Sequence, residues 1–344
     1  MSVTEKRVLA KLPQFSLETV WNGSFEKQTE NYLADHFPFR KQFVSLEAHA
    51  QLYTGNNGAK GVYAGKDGYL IPVPVKQDLK KIAANREAIY HFAKDLDIPC
   101  TMMIVPSAGS ILSDKLPYNH DAYQDEEVIQ TEFEAYLNPV LTMVPLSDTL
   151  KDAEKPVFYK TDHHWTSFGA YLAYCVYMAS FGQNPLPESV FSVTSYPGFY
   201  GTGYAKSGLW EMPPDTLEIY FPPADAQTEI IDSAYKESRK QDSMFFKEHL
   251  ETEDMYSVFL DGNHSLVRIV NPKAEMGKLL VLKDSYAHCL VPFLAQHFSQ
   301  IDMVDLRYYT DSVSELEQQQ NYDRVLMLYG ISTLCESNDL VRLR

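Results

Sequence analysis

The chain has 344 residues, 45% hydrophobic and 13% aromatic, and its 30 basic side chains against 46 acidic ones give a formal charge of −16. That much core material excludes a disordered chain. The negative field excludes a broad nucleic-acid interface, which needs cations to displace counterions from phosphate.

No apolar run reaches the roughly 18 residues that span a bilayer; the longest is Tyr171 to Phe181. The length fits two domains of about 150 residues or one large α/β unit. Cys100, Cys175, Cys289 and Cys335 have no short spacing, which argues against a zinc ribbon or a CxxC redox site. The opening MSVTEKRVLAKLP contains no apolar signal-peptide core.

In chain order, Phe25, Tyr32, Leu33, Phe39, Phe43, Leu46 and Leu52 recur at helical spacing and predict a helix from Ser24 to Tyr53, kinked or divided at Pro38. GVYAGKDGYLI predicts a hairpin around Lys66-Asp67-Gly68. A helix from about Gln77 to Leu96 leads into a buried strand, Ile98 to Val105, ending at Pro106. Helix Glu126 to Leu137 precedes a strand around Met143, and helix Ser167 to Phe181 follows the polar run TDHHW. The stretch 182–261 is rich in Pro, Tyr and Gly and is expected to be an irregular insertion or lid. KLLVLKDSYAHCLVPFLAQHF then predicts strand, tight turn and helix. IDMVDLRYY and YDRVLMLYG predict two more strands, with helix Ser312 to Gln320 between them. Such alternation favours a mostly parallel, helix-flanked sheet, with ligands beyond the carboxyl ends of its strands. The expected organisation is a helical and hairpin region, 1–75, packed on an α/β domain, 76–344.

Two constellations carry chemistry. In Thr161-Asp162-His163-His164-Trp165, residues two apart in an extended segment project to one side, so Asp162 and His164 are able to share a cleft. A carboxylate beside an imidazole fixes its tautomer and stabilises the imidazolium. The same residues also suit a helix cap before Thr166 or Ser167. In Lys283-Asp284-Ser285-Tyr286, the serine stands where an apolar strand turns into a helix. There its hydroxyl is exposed and the first helix amides supply half an oxyanion hole; Ser and Asp are equally the usual residues of an N-cap. Asp162, His164 and Ser285 together supply orienter, base and nucleophile.

TDHHWT, followed by LLVLKDSYAHCLVPFLAQHFSQIDMVDLRYY, resembles the DHHW protein family. This is a branch of the SGNH-like acyltransferases that includes the alginate O-acetylation proteins J and X. With YLADHFPFR, GVYAGKDGYLI and YDRVLMLYG, the resemblance covers nearly the whole chain. It implies an SGNH or flavodoxin-like three-layer α/β/α fold and an Asp162, His164, Ser285 triad. In ordinary SGNH hydrolases the Ser block comes first, so the order here implies a circular permutation. Arg307, Tyr329, Gly330 and Asn263 are candidates for the second oxyanion donor or for substrate contact, as are His163 and Trp165. The resemblance further implies an acetylesterase or O-acetyltransferase on a cell-surface polysaccharide, with no cofactor or metal. It implies an acetyl donor delivered through a membrane-bound O-acyltransferase, and an extracytoplasmic protein whose apolar anchor precedes Glu5, Met1 not being the native start.

Two rival readings remain. Asp162-His163-His164 also occurs as a metal-binding string in manganese phosphoesterases, but those need further Asp-rich motifs. Asp95-Leu96-Asp97 and His120-Asp121 are the upstream acidic clusters available. The tyrosines between Tyr196 and Tyr220, with Trp165 and Trp210, would suit stacking on sugars in a non-catalytic polysaccharide-binding protein.

Overall fold

The computed structural model describes residues 2, 5 and 7–343. The predicted helix over 24–53 is divided at Pro38 into Ser24–His36 and Arg40–Tyr53, with Phe37 extended and Phe39 at φ 60°. Proline lacks the N–H a helix needs and disfavours helical geometry in the preceding residue. Strands β1 (Gly58–Ala59), β2 (Val62–Ala64) and β3 (Leu70–Pro72) form an antiparallel meander, and the Lys66–Gly68 turn joins the last two. The amide of Leu70 donates to the Lys160 carbonyl at 2.7 Å, tying this meander to the segment that carries Asp162.

The remaining strands are β4 (Cys100–Val105), β5 (Thr142–Met143), β6 (Ser192–Phe199), β7 (Asp215–Phe221), β8 (Gln227–Asp232), β9 (Glu237–Gln241), β10 (Leu266–Val270), β11 (Met276–Lys283), β12 (Phe298–Val304) and β13 (Arg324–Gly330). An eight-stranded sheet runs β5-β4-β13-β11-β12-β10-β8-β9. Its first five strands are parallel, and β10, β8 and β9 continue it antiparallel.

Parallel strands are covered on both faces and therefore need apolar residues at both parities. Met103, Val281, Met303 and Leu328 pack against helices Ser167–Ser180 and Ala287–Leu294. Met102, Leu282, Val304 and Met327 pack on the other face against Leu79–Lys94, Gln124–Leu137 and Val313–Gln320. The result is three layers. Pairings Leu282↔Val304, Lys283↔Leu328 and Gly330↔Val105 align the carboxyl ends of β12, β11, β13 and β4 at one edge.

The segment 182–261 is not irregular. Strands β6 and β7 form a separate ribbon, while β8 and β9 extend the main sheet. Two of these strands lack an alternating signature: β6 is mostly exposed and contains Pro197, and β9 is exposed throughout. Period-two patterning records burial of one face, which neither strand has. Among the described residues no helix is long and apolar enough to cross a membrane.

Candidate active site

β11 ends at Lys283, and Asp284-Ser285-Tyr286 form the turn into helix Ala287–Leu294. Asp284 pins this turn. Its Oδ1 accepts from the Tyr286 amide at 3.1 Å, and its Oδ2 accepts from the Gly330 amide at 2.8 Å and the Thr333 hydroxyl at 2.6 Å. Ser285 is half-buried at the sheet edge, and its amide makes no hydrogen bond among the described residues.

The Asp162 segment reaches this edge from a tight loop whose legs pair through a Phe158↔Trp165 bridge and a 2.8 Å bond from the Thr166 amide to the Val157 carbonyl. Thr166 caps the following helix by accepting from Gly169 at 3.1 Å, which leaves Asp162 and His164 free of that task. The two meet through an Asx-type turn rather than an extended strand. Asp162 Oδ1 accepts both the backbone amide of His164 at 2.8 Å and its ring Nδ1–H at 2.5 Å. With that proton on Nδ1, the Nε2 lone pair faces the Ser285 hydroxyl, 2.7 Å away. Residues 121 positions apart are thus hydrogen-bonded at the carboxyl ends of the parallel strands.

Asp162 Oδ2 accepts from Thr202, through its amide at 2.7 Å and its hydroxyl at 3.1 Å. Burial pushes the Asp162 carboxyl up, but His164, His163 and the Thr202 amide outweigh it and hold it well below the usual carboxylate range. His163 bonds the Thr202 hydroxyl through Nδ1 at 2.6 Å, and burial together with neighbouring His164 pushes it down to about 4. Trp165 is fully buried in the core and donates to the Tyr286 carbonyl at 3.0 Å, so it has no surface to offer a sugar. Tyr286 donates its hydroxyl to the His163 carbonyl at 2.8 Å.

The other candidates separate. Tyr329 points into the opposite face of the sheet, as strand alternation requires beside an inward Leu328. The Gly330 amide is committed to Asp284. Arg307 reaches the same edge, where its charge acts on His163. It grips buried Asp305 through Nε and a terminal nitrogen, at 2.8 and 2.6 Å, and also donates to exposed Asn263 at 3.0 Å. Asp305 also neutralises Lys283, which is fully buried, at 3.0 Å. Trp210 donates to the Tyr204 carbonyl at 3.0 Å and Tyr220 packs in the core, which sets both apart from the Ser285 edge contacts.

Asp162, His163 and His164 also bring one ligand atom each within 4.8 Å of one another. A metal there would have to displace Asp162 and Ser285 from His164, and Thr202 from Asp162 and His163. Beside the site a cavity of about 330 Å³ lies between the β1–β3 meander and the core, with Val62, Val73, Ser107, His163, Lys206 and Tyr286 in its wall.

Three contributors have no local sequence signal that ties them to the triad. Thr202 lies 40 residues from Asp162 within 182–261, and Tyr256, whose ring lies on His164, comes from the same stretch. Asp284 reads as part of a cap motif, and its clamp on β13 is a tertiary contact.

A family model described as DHHW protein matches residues 103–304. The chain is 22% identical to a DHHW family protein from Eubacterium siraeum DSM 15702, with a TM-score of 0.73 over 83% of this chain and 95% of that one. It is also 22% identical to Bacillus cereus PatB1, with a TM-score of 0.70 over 81% and 98%; PatB1 has been solved with a sulfonyl adduct as well. These two likenesses establish the fold. A protein of Pseudomonas fluorescens named probable alginate O-acetylase AlgJ is 29% identical over 166 residues, 45% of this chain and 42% of that protein, so the chain spans less than half of that relative. The family match covers more than half of the chain and includes Asp162, His164 and Ser285: the chain belongs to the DHHW protein family.

Proposed function

We propose that the chain is an SGNH-like serine O-acetyltransferase or acetylesterase acting on a cell-surface polysaccharide. The observation that carries this reading is the continuous contact from Asp162 through His164 to Ser285 Oγ. His164 takes the hydroxyl proton as Oγ bonds to the acetyl carbon, and Asp162 stabilises the imidazolium. His164 then returns the proton to the leaving oxygen as the ester bond breaks. In the second half, a sugar hydroxyl or water gives its proton to His164 and attacks the acetyl carbon; the bond to Oγ breaks, His164 returns the proton to Oγ, and the acetylated sugar or acetate leaves.

The free amide of Ser285 is one donor to the oxyanion. Arg307 supports a second contact, because a guanidinium has five N–H groups and three are spent on Asp305 and Asn263. The order of the motifs fits a circularly permuted SGNH core. Family membership, with a relative named as an alginate O-acetylase, supports a carbohydrate acceptor, an extracytoplasmic setting and a membrane-bound acyltransferase as the source of acetyl.

The test is release of acetate from p-nitrophenyl acetate, accelerated by a glycan acceptor. Ser285→Ala and His164→Ala each remove nearly all turnover, since the members act as a unit. Asp162→Ala does the same or leaves slightly more, and His163→Ala is milder. A sulfonyl fluoride labels wild type and not Ser285→Ala, read by intact mass. Activity falls in acid, where protonated His164 cannot accept the serine proton, and chelators have no effect. Turnover by Ser285→Ala, or its loss to chelator alone, would transfer the site to metal-dependent phosphoester chemistry. Glycan binding by an inert wild type would make the chain a binding protein.

A further inference from the structure

His164 is held across its faces as well as at its edge. Tyr256 lies flat on the imidazole, ring centroids 4.1 Å apart at 11°, and the His163 ring sits 3.9 Å away at 37°. Two rings at such distances cannot share one face of an imidazole, so His164 lies between them.

Tyr256 is itself firmly held. It sits in the short turn Met255–Val258, which is strapped to 244–246 by bonds from the Phe246 amide to the Val258 carbonyl at 2.8 Å and from the Leu260 amide to the Met244 carbonyl at 3.0 Å. Its hydroxyl donates to Cys289 Sγ at 3.2 Å and reaches the Ser285 carbonyl at 3.5 Å, both on the strand–turn–helix that carries the serine. Burial pushes its phenol well above the ordinary range, so it remains neutral.

We infer that Tyr256 is a positioning residue, whose ring fixes the plane of His164 between Asp162 and Ser285 and whose face stabilises the imidazolium. This rests on the reading of Ser285 as nucleophile. An aromatic face carries a negative quadrupole that attracts cations. The cation exists only once the serine proton has moved to Nε2, so the attraction is stronger at the transition state than before it. The other groups facing His164 are Asp162 and His163 from its own segment, and Ser285, Tyr286 and His288 from the strand–turn–helix. His163 and His288 are both pushed down, chiefly by burial, and stay neutral. The positive charge of Arg307 acts on His163 and His288 and opposes an imidazolium there. Asp162 and the Tyr256 face are therefore the groups that favour it.

The experiment compares Tyr256→Phe, Tyr256→Leu and Tyr256→Met in the full chain. It reads kcat and KM on p-nitrophenyl acetate and the pH titration of the His164 imidazole by NMR. Tyr256→Phe keeps the ring and stays within about 3-fold of wild type, because a single hydroxyl contact to sulfur is weak. Tyr256→Leu loses about 10- to 30-fold, mostly in kcat, the loss expected of a desolvated cation–π contact. Its His164 titration midpoint moves to lower pH than in Tyr256→Phe. Tyr256→Met fills the space without a π face and repeats the result if the leucine variant does not fold. Wild-type turnover and an unmoved midpoint in the leucine or methionine variant would overturn the inference. So would equal losses in the phenylalanine variant, which would assign the role to the hydroxyl. If wild type shows no Ser285-dependent turnover, the enzyme reading fails, and the titration still decides whether the stack supports the imidazolium.

Discussion

Asp162 has its two oxygens divided between two tasks, Oδ1 for His164 and Oδ2 for Thr202. The Thr202 hydroxyl serves Asp162 and His163 at once, while its amide holds Asp162 whatever the side chain. Thr202→Val therefore leaves the fold intact and lowers kcat/KM on p-nitrophenyl acetate about 10-fold, some 1.4 kcal/mol for one hydrogen bond to a charged group. Thr202→Ser restores it. Asp284 acts on stability instead. Asp284→Ala strands the buried Gly330 and Tyr286 amides and the half-buried Thr333 hydroxyl. Leaving such donors unmet costs about 2–4 kcal/mol, measurable as a lower urea midpoint. An unchanged midpoint would mean the clamp contributes nothing.

At the scale of elements, the site depends on how closely two backbones approach. Gly201 precedes helix Thr202–Ser207, and a Cβ built there would lie 2.1 Å from Asp162 Cβ and 2.4 Å from its Oδ2. The φ of −92° suits any residue, so space alone demands glycine. Gly201→Ala is expected to push Asp162 out of line with His164. It lowers kcat at least 10-fold with a stability loss of about 1–3 kcal/mol from overpacking, checked by steady-state kinetics beside thermal unfolding. Pro38 announced the helix break and the DSY turn announced a serine at a strand end. The contact of Gly201 with Asp162 has no local signature, because it joins two loops packed on one edge of the sheet.

Across the whole molecule, buried titratable groups set the response to acid. Asp162 and Asp305 are both held below the usual carboxylate range despite burial, by His164 and His163 for the first and by Arg307 and Lys283 for the second. Groups with a depressed pKa stabilise the fold above their unfolded value, and that stability is lost as pH falls through the folded one. His163 and His264, each pushed down to about 4 chiefly by burial, follow the same sign. Their contribution fades from about pH 6.5, the unfolded histidine value, down to about 4. Glu126, raised by burial, acts the other way. The urea midpoint should therefore fall steadily from neutral pH to 4 and further below; a flat profile over that range would contradict the downward shifts of these histidines.

The sequence by itself determined the order of the parallel strands and their helices, because burial on both faces leaves continuous apolar runs such as Leu279–Leu282, and because Pro38 and the Lys66–Gly68 turn act through local geometry. It also singled out Asp162, His164 and Ser285 as residues of compatible chemistry. Only the tertiary structure decided which donors remain available. Tyr329 and Gly330 are adjacent in the chain, yet one faces the far core and the other is spent on Asp284. Likewise β9 joins the sheet with every residue exposed, and Tyr256 reaches His164 across 92 residues (256 − 164). Backbone pairing and ring contacts between distant segments leave no periodic trace in either partner, so packing alone assigns them.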